Sequence, residues 1–335
     1  NLRHLAIISG DFSTENLARY LSAWNGLIGR PLSALSFLIE DDSWPSNAEA
    51  FKFNNILLHL IVGLVLYQFG RTLLTHIGYN QRRKEALALG LLLIWLIHPI
   101  HISTLMLVVQ RMTILSNLFI ATGLLSYLYF VLSENYGERY RAIMASLSVL
   151  AFGSLAFAAK ENGILIFIYA SVLNLTILRR RLLEFGTQNR NLIQYSTFGP
   201  TLIIGLLLIW KVRNPEQAFS NRDFSLYERI LSQSRVLWIY IYETLLPNLD
   251  VNIFHDDFKK STGLLQPVST LFSLAGVILS LSLFLFLRKS HPVLALAIGW
   301  FFAGHVIEST VIPLEMRFDH RNYLAIYGPF LALTI

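Results

Sequence analysis

The apolar segments of this sequence constrain its fold more than any other feature. Hydrophobic residues make up 54% of the chain and charged residues 14%, whereas soluble domains carry about 25% charged residues. A spanning helix needs about 20 apolar residues. Nine segments of roughly this kind lie at 53–70, 86–97, 112–132, 143–158, 163–178, 195–210, 264–287, 293–307 and 323–335. We therefore expect an all-α, polytopic transmembrane helical bundle, that is, an integral multi-pass membrane protein.

The polar parts of the chain suggest how it is divided. In residues 1–52, apolar side chains recur at helical spacing among polar ones, which predicts amphipathic helices in a first outer loop. Residues 53–335 then form a bundle of about nine spans, with a second long outer loop at 211–263. The sequence begins without methionine or a leading apolar span and stops inside an apolar segment. We expect the parent protein to be longer at both ends.

Basic residues gather on alternate sides of the predicted spans. The loops 71–85, 133–142, 179–194 and 288–292 carry 12 Lys or Arg in 46 residues. The loops on the other side carry 15 in 137 residues, less than half that density. Because cytoplasmic loops collect Lys and Arg, the first set predicts the cytoplasmic face and the second the periplasmic or lumenal face, in a bacterial inner membrane. This tendency explains the net charge of +6 without a nucleic-acid partner.

Polar residues at the predicted outer face form the candidate site. The densest stretch runs from Glu308 to Tyr323 between two apolar segments, and a charge at the bilayer centre would cost about 3 kcal/mol. Arginines can bind a phosphate in bidentate fashion, and carboxylates can orient or deprotonate a hydroxyl. These properties suit a substrate with a lipid tail and a charged head, such as a polyprenyl-phosphate sugar. The candidate binding residues are Arg30, Asn55, His59, His98, His101, Arg111, Lys160, Glu315, Arg317, Arg321 and Tyr323.

Several of these residues have a second interpretation, and both stay open. Lys160 can belong to a solvated turn, and His59 can be a hydrogen-bonded core histidine. His98 and His101 have the i, i+3 spacing of metal ligands but also suit a helix end broken by proline. No metal site is assigned and no cofactor is certain, although a divalent cation is kept as an alternative.

Five polar motifs follow one another at the predicted outer ends of the spans. They are Gly29–Leu32, Phe53–Leu60, His98–His101 followed by Gln110–Arg111, Lys160–Gly163 and Glu308–Leu324. In this order they resemble the integral-membrane glycosyltransferases of the GT-C type. The resemblance is greatest to the branch that includes the transmembrane TPR-containing O-mannosyltransferases and the bacterial polyprenyl-phosphate-sugar glycosyltransferases. TPR repeats are absent from this sequence.

The resemblance implies an inverting transfer of a hexose or pentose at the outer membrane face. The donor would be a polyprenyl-phosphate sugar in the lipid bilayer, and the acceptor a hydroxyl of a glycan, lipid or protein. Enzymes of this type place an acidic residue in the first outer loop as base or acceptor-orienting group. We expect the main acid to precede Asn1 and take Asp11 as the candidate within the chain.

The resemblance also assigns roles to individual positions. Donor-phosphate contacts fall on Arg111, Lys160, Arg317 and Arg321. Glu161, Glu308 and His320 are the catalytic candidates that would orient the sugar or the acceptor.

Two other functions fit the same sequence. A lipid-linked glycan polymerase or ligase would share the location but use an oligosaccharide donor, and the long loop 211–263 partly fits it. A membrane transporter is the third interpretation. Transporters place polar residues at mid-membrane, whereas the predicted spans here are nearly free of them at their centres.

Overall fold

A computed structural model describes residues 2–24, 29–247 and 258–334. Within these ranges the chain forms helices and no β-strand. The α-helices are α1 (Thr14–Ser22), α2 (Pro31–Leu38), α3 (Ala48–Ile77), α4 (Gln81–Leu96), α5 (Ile102–Met106), α6 (Arg111–Leu132), α7 (Glu138–Ala159), α8 (Leu165–Leu175), α9 (Arg179–Leu183), α10 (Thr187–Lys211), α11 (Pro215–Phe219), α12 (Leu226–Leu245), α13 (Ser269–Leu287), α14 (Pro292–His305) and α15 (Tyr327–Thr334). Short 3₁₀ helices lie at Leu2–Ile7, Pro99–His101, Val108–Gln110, Glu161–Ile164 and Asp319–Asn322.

The apolar segments form the long helices of a polytopic bundle, as the sequence predicts. Five helices are long and apolar enough to cross a membrane: α3, α6 with the turn before it, α7, α10 and α13. A sixth span results if α4 is counted with Pro99–Met106, which is bent from it by 48°. Proline cannot continue the helical hydrogen bonding, and this explains the bend. Shorter apolar helices cover Glu161–Leu175 and Pro292–His305. The number of about nine spans stays a prediction.

The centre of the bundle is built around α3, α6 and α7, with α4, α8, α14 and α15 packed beside them. Helix α3 begins at Ala48, five residues before the apolar segment, because the Asn47 side chain accepts a hydrogen bond from the Glu49 amide. It ends at Gly78, whose φ of +100° lies in the left-handed region that favours glycine. Trp95 and Trp300 fill the core from α4 and α14.

The polar loops collect at the two ends of the bundle. At one end, Arg181 donates to the carbonyl of Leu132 over 3.1 Å, and the Gly186 amide donates to Glu138 Oε1 over 2.7 Å. We call this the basic end; it holds 71–85, 133–142, 179–194 and 288–292. At the other end, the polar end, the segments 29–40, 98–113, 160–164 and 308–323 meet. Helix α3 has 30 residues, so it is about 45 Å long and runs from one end to the other.

The second long loop contains a substantial helix. Helix α12 has 20 residues and starts with a capping box. The Ser225 side chain accepts a hydrogen bond from the Glu228 amide, and the Glu228 side chain accepts one from the Ser225 amide. It packs against α13 and α15, and Arg229 and Tyr240 on its inner face are fully buried. Helix α12 therefore lies against the segment that carries the candidate site.

Candidate active site

The loop after α14 is held in place by side chains of α12. The Arg229 guanidinium donates to the carbonyl oxygens of Glu308 (2.8 Å) and Thr310 (3.0 Å) and also to that of Leu314. Gln233 Nε2 donates to the Met316 carbonyl over 2.7 Å. These bonds satisfy backbone carbonyls that burial would otherwise leave without partners. They fix the backbone that presents Glu308 and the residues after it.

Lys160 and Glu308 form a buried ion pair at the centre of the polar end. Lys160 Nζ lies 3.0 Å from Glu308 Oε1, and the two side chains are only 9% and 7% exposed. Lys160 also donates to the Thr113 hydroxyl over 3.1 Å. The lysine follows α7 directly, where the backbone turns so sharply that a Cβ on Gly163 would lie 2.1 Å from the Ala156 carbonyl carbon. Only glycine fits this turn, and the turn aims Lys160 inward.

His320 and Arg321 complete what we call the Lys160 cluster, which consists of Thr113, Lys160, Glu308, His320 and Arg321. Arg321 Nε lies 4.0 Å from Glu308 Oε2. Its terminal nitrogens donate to the carbonyls of Glu315 (2.7 Å) and Met316 (3.1 Å). Glu308 Oε2 and Arg321 Nε are both buried without a hydrogen-bond partner.

The charges of the Lys160 cluster are set by burial and by neighbours. Burial alone would raise the pKa of Glu308, but the Lys160 ammonium, together with His320 and Arg321, holds that pKa well below its ordinary value. Burial, reinforced by the Lys160 charge, lowers the pKa of His320 to about 3. At neutral pH the cluster therefore holds an ionised carboxylate, two cations and a neutral imidazole.

A cavity of about 20 Å³ adjoins the Lys160 cluster. It is lined by Lys160, His320 and Arg321 together with Thr113 and Tyr169, and it has room for about one water. A larger cavity, of about 400 Å³, is lined by residues 315–318, where Arg321 donates to the carbonyls of Glu315 and Met316, and we call it the charged cavity. Its polar lining residues are Arg222, Asp223, Lys259, Lys260, Glu315 and Arg317.

The charged cavity contains two of the predicted binding residues. Glu315 lies 3.2 Å from Arg222, and Arg317 pairs with Glu243 of α12. Four of its six charged lining residues are cationic, and Glu228 and Glu243 pair with Lys260 and Arg317 from outside the lining. A phosphate would have to compete with these acids for the cations.

Arg30 and Arg111 are each occupied by protein partners. Arg30 Nη2 lies 3.0 Å from Glu161 Oε2, and its backbone is left-handed, with φ +52°. Arg111 is 2% exposed; it pairs with Glu40 and donates to Asn55 Oδ1 over 3.0 Å. Backbone carbonyls accept its remaining hydrogen bonds. Arg111 and Asn55 therefore join α2, α3 and α6.

The predicted histidines pack with aromatic side chains beside α4. His59 Nδ1 lies 2.8 Å from the Tyr323 hydroxyl, and His98 Nε2 lies 3.2 Å from the Thr244 carbonyl. His101 packs between the rings of His59, Trp95 and Tyr323. Within the ranges that the structure describes, no group of three or more His, Cys, Asp or Glu is arranged to hold a metal ion. This geometry favours the core interpretation of His59.

Asp11 lies apart from these contacts on the exposed N-terminal segment. Its carboxylate accepts hydrogen bonds from the Ser13 amide (3.1 Å) and the Asn16 side chain (2.8 Å). The structure thus gives it a local role next to α1. Its catalytic role stays a prediction.

Several residues of the polar end carry no signal in the sequence. The partners of predicted residues and of their loop are Glu40, Thr113, Arg229, Gln233 and Tyr240. Each belongs to a helix or loop far along the chain from its partner. The inner face of α12 also buries Ser232, Gln233 and Thr244, so its periodicity does not set Arg229 apart.

Comparison with known proteins gives one partial match. Protein O-mannosyl-transferase TMTC2 of Mus musculus is 27% identical to this chain over 203 residues. The match covers 58% of this chain and 23% of the relative, so the chain spans about a quarter of that protein's length. No protein-family model matches the chain, and no solved structure matches it. The match is weak and agrees loosely with the GT-C-type resemblance.

Proposed function

We propose that this chain is the membrane part of a glycosyltransferase. It would transfer a sugar from a polyprenyl-phosphate donor to an acceptor hydroxyl at the periplasmic or lumenal face. The partial similarity to an O-mannosyl-transferase supports a sugar-transferring enzyme. The observation that carries the proposal is the Lys160 cluster, in which Glu308 Oε2 and Arg321 Nε are buried without hydrogen-bond partners, together with the charged cavity at residues 315–318.

The reaction requires stabilisation of a leaving lipid phosphate. As the glycosidic bond breaks, negative charge grows on the phosphate, and fixed cations lower the free energy of that transition state. Arg317, Arg222, Lys259 and Lys260 line the charged cavity. We assign the donor phosphate to this cavity. Arg321 borders the smaller cavity, and we place it between the bound donor and the acceptor.

The pKa of Glu308 decides which role it can have. Its carboxylate stays ionised because Lys160 compensates the cost of burial. A carboxylate with a strongly lowered pKa is a weak base but a good acceptor for a sugar hydroxyl. Glu308 is therefore the residue that orients the sugar, and His320 beside it is neutral. We keep Asp11, which is exposed, as the candidate base for the acceptor.

The experiment measures sugar transfer by the purified full-length protein in lipid nanodiscs. The donor probe is tritiated polyprenyl-phosphate mannose, chosen from the activity named for the relative, with a pool of Ser/Thr-containing peptides as acceptor. We expect Arg317→Ala and Arg321→Ala each to lower the rate by about 100-fold or more, the usual effect of removing one group that stabilises transition-state charge. Mass spectrometry of the product shows whether one sugar or an oligosaccharide is transferred.

The matched control is Arg139→Gln, which removes one exposed arginine at the basic end. It should leave transfer unchanged. Undiminished transfer by Arg317→Ala and Arg321→Ala would remove both arginines from the donor site. Transfer of an oligosaccharide alone would favour the polymerase or ligase alternative.

A further inference from the structure

The basic end contains a cavity that the proposed reaction does not use. It has a volume of about 330 Å³ and lies where the C-terminal ends of α3, α8 and α13 approach the start of α14. Four cations line it, Arg179, Arg180, Arg288 and Lys289, with His76 beside them. We call it the basic cavity. His76 is 17 residues beyond His59 on α3, so it lies about 25 Å from the polar end.

The cations of the basic cavity have no acidic partners. No Asp or Glu is among the residues lining the cavity, and in the described part of the chain none of the four cations forms an ion pair. Their neighbours at the same end differ. Arg181 pairs with Glu134 and Glu184, and Arg71 pairs with Glu85. The positive-inside tendency requires basic residues in these loops, but it does not require four unpaired cations around one cavity.

Beyond these cations and His76, the wall of the basic cavity is mostly apolar, with Thr176 and Ser290 as its polar residues. Ile77, Ile177, Pro292 and Val293 line it, and each lies at or next to the end of an apolar helix. A ligand there would contact cations on one side and, on the other, apolar side chains at the ends of the bilayer-spanning helices. A free phosphate would use only the first of these. A phospholipid would use both, since its phosphate lies at the height of the helix ends and its acyl chains lie beside the helices.

We propose that the basic cavity binds the phosphate headgroup of an anionic membrane lipid. Arg179, Arg180, Arg288 and Lys289 contact the phosphate, and the apolar wall contacts the first carbons of the acyl chains. The site is separate from the Lys160 cluster, and its existence does not depend on glycosyl transfer. By joining the ends of α8, α13 and α14, the bound lipid acts as a structural partner of the bundle.

The test is native mass spectrometry of the full-length protein released from phosphatidylcholine nanodiscs and titrated with phosphatidylglycerol. The variant is Arg180→Gln/Arg288→Gln. Because each arginine near the membrane surface contributes about five-fold to affinity, we expect binding to be about 30-fold weaker. The control Arg82→Gln/Arg139→Gln removes the same charge from exposed positions at the same end and should change binding by less than about three-fold.

A charge-conserving variant and a second titration complete the test. Arg180→Lys/Arg288→Lys keeps the charge and should bind phosphatidylglycerol within about three-fold of the unmodified protein, which guards against a variant that fails to fold. A titration with inorganic phosphate separates a soluble phosphate from a lipid. Equal weakening in both double Gln variants, no weakening in Arg180→Gln/Arg288→Gln, or binding of inorganic phosphate without phosphatidylglycerol would each overturn the proposal.

Discussion

The arginines of the polar end differ in how many of their N–H groups already donate hydrogen bonds within the protein. The Arg111 guanidinium contacts Glu40, Asn55 and two backbone carbonyls, whereas Arg321 has a buried Nε that donates no hydrogen bond and lies 4.0 Å from Glu308 Oε2. An arginine that is fully bonded within the protein stabilises the fold, and one with a free donor can bind a ligand. We therefore expect Arg111 to support stability and Arg321 to contact substrate.

The Lys160–Glu308 pair gives a residue-scale prediction. Glu308→Gln should destabilise the protein by about 3–5 kcal/mol, because it leaves the Lys160 ammonium buried without a compensating charge. The double variant Lys160→Met/Glu308→Leu removes both charges and should recover most of that loss. Unfolding in detergent, followed by circular dichroism, measures both. A Glu308→Gln variant as stable as the unmodified protein would contradict the burial of this pair.

The sequence predicts which residues share the polar end but not how they pair. Alternating apolar segments and basic loops place Arg30, Lys160, Glu308 and Arg321 on one face. The contact between Lys160 and Glu308 joins positions 148 residues apart, and no local pattern encodes such a pairing. The roles of Thr113 and Arg229 depend on the same tertiary packing.

At the scale of helices, segment length and composition decide what can be predicted. Each apolar segment falls on a helix because burial of its side chains and the helical hydrogen bonds favour the same structure. The five-residue helices α5, α9 and α11 are different. Isolated helices this short are unstable in water, so tertiary contacts must stabilise them and the sequence gives no periodic signal.

The turn between α7 and α8 provides an element-scale prediction. In Gly163→Ala the new Cβ would lie 2.1 Å from a backbone carbon of α7, so the two helices must separate. We expect a loss of stability of about 1–3 kcal/mol, the usual cost of overpacking, with sugar transfer reduced because Lys160 moves. Thermal unfolding and the transfer assay measure the two effects.

The matched control for this turn is Gly205→Ala in α10, where a Cβ would meet nothing within 4 Å. Alanine there should be neutral or stabilise the helix by up to about 1 kcal/mol. If both variants behaved alike, the close approach of α7 to the turn would not matter.

At the scale of the whole molecule, the buried charges make stability depend on pH. The pKa of His320 is about 3 in the folded protein, against an ordinary value of 6.5, and the pKa of Glu308 is also lowered by folding. Both groups contribute stability above their ordinary pKa values and lose it as the pH falls, because the unfolded chain binds the protons first. We expect His320 alone to account for a loss of about 2 kcal/mol by pH 5.

This dependence is measured as the thermal midpoint in detergent between pH 7.5 and pH 5. His320→Gln should show a smaller decrease than the unmodified protein. His291→Gln, at an exposed position, should show the full decrease. Parallel curves for all three proteins would mean that His320 is not titrated as described.

The contacts of Arg229 also limit how this protein can change over evolutionary time. One guanidinium bonds to the carbonyls of residues 308, 310 and 314, so the number of residues between these positions is fixed by the span of a single side chain. An insertion or deletion inside this interval would separate at least one carbonyl from its donor. Loops on protein surfaces ordinarily tolerate changes of length. We expect related sequences to vary in length around 211–225 but to keep the spacing from 308 to 314, so this spacing can serve as a criterion for recognising distant members of the same group.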